Sequence, residues 1–145
     1  MAKGPDPRKD HAPRADVPRL MREGAAEFNA RRFWHAHEAW EQAWHTLRGV
    51  GEPEAAEFLH GLILVSAALE NATRGKESGF KRQFAEALFL LRTHIASAPA
   101  LGIVQAASLL DAFALLYADA CRRHEWSIWN ASGWSAPTIA LTVIS

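Results

Sequence analysis

The stretch Phe33-Trp34-His35-Ala36-His37-Glu38-Ala39-Trp40-Glu41-Gln42-Ala43-Trp44-His45-Thr46-Leu47-Arg48 decides the fold. At roughly 100° per residue, Phe33, Trp40, Trp44 and Leu47 fall in one narrow stripe, with Ala36 and Ala43 along its edge. That period belongs to a helix buried on one side. Gly49 and Gly51 end it, and Pro53 opens a further helix over about 53–73 that is apolar on nearly every side. A helix apolar all round sits in the middle of a bundle.

Working outward, the same period recurs on both flanks. Asp16 can cap a helix with Pro18 in its first turn, where the missing N–H costs nothing. Leu20, Met21, Ala25 and Phe28 then predict a helix over about 18–29. Beyond Gly75, the residues Phe80, Phe84, Leu88, Leu91 and Ile95 share one face of a helix over about 77–96. Pro99 and Gly102 mark a turn, and Leu109, Leu110, Phe113, Leu116 and Tyr117 follow in a helix over about 104–122. Short links favour antiparallel neighbours. The expected architecture is all-α, a compact single-domain bundle of about five helices with the second and third forming the central hairpin. Residues 1–16, polar and carrying Pro5, Pro7 and Pro13, read as a disordered lead-in to a helical domain over 17–124. Residues 125–145, with Trp126, Trp129 and Trp134, read as an irregular tail packed on that domain.

The totals narrow the function classes. A chain of 145 residues, 49% hydrophobic and 22% charged, is one domain with a core large enough to stand without disulfides. Formal charge is zero, so nothing gives the net basic footprint of a nucleic-acid binder. The most apolar run, Phe58 to Leu69, is about 12 residues long, short of the about 20 that a membrane span needs. The start of the chain lacks the apolar core of a signal peptide. A single Cys121 excludes an intramolecular disulfide and fits a reducing cytoplasm. A homodimer stays open.

The residues that could carry chemistry gather on the second helix. His37 lies inside the aromatic stripe, and Glu41, four residues on, is placed to reach its imidazole. A carboxylate beside a histidine serves a general base, a metal ligand or a buried structural pair. Glu38 points about 100° away from His37, towards the side of Trp34 and His45. On the third helix His60 and Asn71 share one face, and facing His37 and Glu41 they would enclose a small polar pocket.

Complete catalytic sets are missing. His37-Glu38-Ala39-Trp40-Glu41 is HExxE and not the HExxH of a zinc protease. Glu57-Phe58-Leu59-His60 is a lone ExxH unit where di-iron bundles use two. A mixed site of His37, Glu41 and His60 is the one metal set the spacing allows. No cofactor is expected otherwise. Phosphate-binding glycine loops and the GxSxG elbow are absent from the sequence, and Ser66 has no base beside it on its helix.

One resemblance emerges from these residues. Gly24, Phe28-Asn29, Phe33, Ala36-His37-Glu38, Glu41 and Trp44, followed by Phe58, Gly61-Leu62-Ile63 and Gly75, resemble the bacterial domain-of-unknown-function 309 family. That family's pattern reads approximately G-x3-FN-x3-F-x2-AHE-x2-E-x2-W, then a helix containing GLIQ. The likeness covers about residues 20–95. It implies a compact all-α fold and no stated activity. It also implies that His37, Glu38, Glu41 and Trp44 are the functional positions. The third helix departs from the pattern. Leu64 stands where the family has Gln, Asn71 where it has His, Lys76 where it has Asn, and His60 replaces another usual Gln. The expected role is a non-enzymatic binding or interaction module with a polar site of His37, Glu38, Glu41, Trp44, His60 and Asn71 between the second and third helices. The alternative is a small metal-assisted hydrolase with His37 as base or ligand and Glu41 as its orienter. Whether the protein is an enzyme stays open at this point.

Overall fold

The computed structural model describes residues 11–122 and Ile139. Five α-helices run in order: α1 (Val17–Asn29), α2 (Phe33–Gly49), α3 (Pro53–Thr73), α4 (Glu77–Thr93) and α5 (Ala106–Arg122). A short 3-10 turn (Arg14–Asp16) precedes α1, and a longer one (Ile95–Leu101) joins α4 to α5. No strand occurs among the described residues. The periodicity in the sequence therefore placed every helix, and the all-α bundle is the fold.

Three details differ from expectation, each for a local reason. Asp16 occupies the N-cap position of α1 but makes no capping bond. The preceding 3-10 turn leads straight into the helix, so Asp16 has helical φ and ψ (−84°, −11°). A side-chain cap needs the extended conformation there, and the carboxylate pairs with Arg19 instead, at 3.5 Å. Helix α4 stops at Thr93 rather than at about 96. His94 leaves helical geometry (φ −113°, ψ 21°) and the Ser97 N–H bonds back to its carbonyl at 2.9 Å, so the chain tightens into the 3-10 segment that contains Pro99. Within the expected lead-in of 1–16, the described part is folded: Arg14 meets Glu52 at 2.6 Å, and the Ala12 carbonyl accepts from the Thr46 hydroxyl. The tail over 125–145 lies outside the described residues apart from Ile139. That residue is buried, and its backbone is held by Asn29, with N to Oδ1 at 2.9 Å and Nδ2 to O at 3.0 Å.

The helix ends explain the hairpins. After α2, the N–H of Glu52 reaches the Leu47 carbonyl (2.8 Å) and that of Gly51 reaches Arg48 (3.3 Å). After α3, Lys76 reaches Asn71 and Gly75 reaches Ala72 in the same way. This pairing requires a left-handed residue, which Gly51 and Gly75 supply with φ of 77° and 71°. The end of α1 repeats it with Arg31 at φ 64°, a conformation that costs a non-glycine residue about 1–2 kcal/mol.

Helix α3 is the centre. Its buried set includes Phe58, Leu59, Leu62, Val65 and Leu69, and it packs most broadly against α4 and α2. The large side chains Trp40, Phe28, Phe33, Phe84 and Phe113 close the core around it. Between α1 and α2 the fit is closest at Gly24, where a Cβ would fall on the indole of Trp40. The buried face of α2 is therefore fixed by Phe33, Ala36, Trp40, Ala43 and Leu47, which turns the intervening residues towards the flank and the solvent.

Candidate functional site

On that turned-out side α2 carries a continuous run of aromatic and ionisable groups. His37 is only 17% exposed at its side chain and Glu41 is 49% exposed. Their i, i+4 spacing brings His37 Nε2 to 3.3 Å from Glu41 Oε1. The contact is an ion-pair distance on the half-exposed side of the helix, and it sets the carboxylate beside the ring edge. The other nitrogen, Nδ1, is buried and meets no hydrogen-bond partner among the described residues. Trp34 lies flat on the same ring, with centroids 4.9 Å apart and planes 6° from parallel. It is nevertheless 51% exposed, because only one face of its indole is covered by the histidine.

The next turn repeats the theme with a different ending. Trp44 packs against His60 of α3 at 6.0 Å between centroids, and His45 meets its edge at 5.2 Å. The Arg48 guanidinium lies 4.9 Å from the Trp44 ring centre, a cation–π contact. Trp44 Nε1 is a second buried donor with no partner among the described residues.

The six expected site residues do not form one cluster. His37 and Glu41 pair, and Trp44 joins His60 across the α2–α3 contact. Glu38 is exposed and stands apart from the His37 ring contact. Asn71 leaves the shared pocket: its Nδ2 donates to Gln83 Oε1 of α4 at 2.6 Å. It sits where a side chain on Gly79 would collide with it. Of the expected pocket residues, the structure brings His60 to α2 through Trp44 and turns Asn71 to α4. Helix α3 is buried against neighbours on two sides, so its polar line splits, His60 serving α2 and Asn71 serving α4. Among the described residues no group of three His, Cys, Asp or Glu side chains is placed to hold a metal ion. Ser66 is buried and donates to the Ile63 carbonyl at 2.8 Å, the usual way a serine is satisfied inside a helix.

Sequence reasoning missed Trp34 and Arg48. Both signals were present as spacings: Trp34 is three residues before His37, and Arg48 four after Trp44. Neighbours at three and four on a helix touch, but an aromatic inside an aromatic stretch reads first as core.

A comparison with protein families bears on this helix directly. Residues 21–83 match the family model of a "Domain of unknown function (DUF309)". The chain resembles DUF309 over that span. The matched DUF309 segment runs from α1 through α2 and α3 into the start of α4, so it contains the whole Trp34-to-Arg48 run. Neither the curated proteins nor the solved structures gave a match. No helix among the described residues is long and apolar enough to cross a membrane.

Proposed function

We propose that this protein is a non-enzymatic binding module that presents the outward side of α2 to a macromolecular partner. One observation carries the reading: the mostly buried His37 ring lies flat against a half-exposed Trp34. A general base must offer a nitrogen within hydrogen-bond reach of a substrate proton. Here Nε2 lies 3.3 Å from the Glu41 carboxylate, Nδ1 is buried, and one ring face is covered by Trp34. What faces outward instead is a preorganised indole, half exposed and braced from behind. Tryptophans of this kind anchor interfaces, and bracing lowers the ordering cost of binding. The lone Cys121 fits a reducing cytoplasm as the place where such a module would act.

The test is a photo-crosslinking side chain placed at the exposed His35, beside Trp34, in the cell that naturally makes the protein. A control carries it at the exposed Phe89 on α4. The expected result is a discrete adduct at position 35, absent at position 89 and lost when Trp34→Ala is added. Equal adducts at both positions, or an adduct indifferent to Trp34→Ala, overturn the proposal. Native purification gives a second check. A metal ion retained in stoichiometric amount and lost in His37→Ala would replace the binding module with metal-assisted chemistry.

A further inference from the structure

The two outward tryptophans of α2 stand in the same local setting with opposite companions. Four residues after Trp44 comes Arg48, whose guanidinium lies over the ring at 4.9 Å. Four residues after Trp34 comes Glu38. Trp44 thus takes its cation from its own helix, while Trp34 has a carboxylate in the equivalent place and half of its surface open. Glu41, seven residues after Trp34, falls on the same side of the helix. Glu38 is exposed and has no ion-pair partner among the described residues, and Glu41 has only the His37 ring. Glu23, Glu27, Glu52 and Glu70 are met by Arg19, Arg32, Arg14 and Arg74, whereas Glu54, like Glu41, meets only a histidine ring; what sets Glu38 and Glu41 apart is that they flank a half-exposed indole.

Resting on the binding-module reading, we infer that the Trp34–Glu38–Glu41 face docks a basic segment of a protein partner, with an arginine side chain stacked on the open face of Trp34. The guanidinium plane suits this place. It stacks on an indole and still turns its N–H fork towards a carboxylate at the ring edge. Trp44 and Arg48 display the stacking half of that geometry within the chain itself. Glu38 and Glu41 would supply the charge that steers the segment to the face, so association weakens as salt rises. A glutamate-rich or purely apolar segment has no such match.

The experiment follows the Trp34 indole N–H signal by NMR in the full-length protein, during titration with a blocked peptide of alternating glycine and arginine. The same peptide with glutamate, and one with the neutral isostere citrulline, serve as controls. The expected result is a saturable shift of the Trp34 signal with the arginine peptide alone. Trp34→Ala, read from backbone amide signals, and Glu38→Gln are each expected to weaken binding at least about fivefold, with unchanged far-UV circular dichroism. No shift at millimolar arginine peptide, an equal shift with citrulline or glutamate, or unchanged affinity in both variants overturns the inference. A photo-adduct at position 35 without arginine-peptide binding removes the basic partner and leaves the module. Failure of both removes the two together.

Discussion

Gly24→Ala tests the contact that sets α1 against α2. An ideal Cβ at position 24 would lie 2.6 Å from Trp40 Cε2 and closer still to Nε1 and Cδ1. Trp40 cannot step aside, being fully buried beside Phe28 at 5.8 Å between ring centres. Its Nε1 is also 3.4 Å from the Met21 carbonyl on α1. The methyl must therefore part the helices or displace the indole. Overpacking of this kind costs about 1–3 kcal/mol, and loss of the indole hydrogen bond adds about 0.5–1.5 kcal/mol. The expected destabilisation is about 2–4 kcal/mol, read as a lower urea midpoint with an unchanged slope. Repeating Gly24→Ala in a Trp40→Phe background removes the ring atoms that the methyl would strike. There the cost should fall by at least about 1 kcal/mol, since contacting residues couple. A loss below about 0.5 kcal/mol in the original background, or equal losses in both, would refute the packing argument.

Other outcomes follow from particular contacts. Arg31→Gly should stabilise the protein by roughly 0.5–1 kcal/mol in urea denaturation, the relief of the left-handed strain partly offset by a freer unfolded chain; a loss of stability would contradict the strain. Asn29→Ala removes both side-chain bonds to Ile139, and amide exchange at Ile139 should accelerate at least tenfold while the α3 amides keep their protection. Glu41→Gln should change stability by less than about 0.5 kcal/mol, because its half-exposed pair with His37 is screened by water. A loss of several kcal/mol there would make the pair a structural support and weaken the case for a docking face. His37→Ala should cost more, about 1–2 kcal/mol, through the lost packing of a mostly buried ring.

The fold was legible because helix formation and burial leave a period in the chain. Phe33, Ala36, Trp40, Ala43 and Leu47 are all buried on α2, and their spacing alone required one apolar side. Glycine at Gly51 and Gly75 signalled the left-handed turns, while Arg31 gave no signal because its side chain merely tolerates that conformation. The end of α4 was misplaced by about three residues because Ile95 keeps the helical period, while the break at His94 lies in backbone geometry that hydrophobicity does not report.

The site was legible only along one helix. The His37–Glu41 contact follows from i, i+4 geometry, which needs no knowledge of neighbours. The pocket with Asn71 required knowing which neighbour each part of α3 meets, and a helix apolar on nearly every side erases that information from its pattern. His60 and Asn71 lie on one face of α3, yet His60 packs on Trp44 and Asn71 bonds to Gln83. The same limit concealed the exposure of Trp34. Exposure of an aromatic residue depends on what covers it, and the sequence places Trp34 and Trp40 in one aromatic stretch although one is half open and the other sealed. Glu38 makes the difference interpretable. A tryptophan meant only for the core has no use for a carboxylate at the next turn, whereas one that receives a cation does.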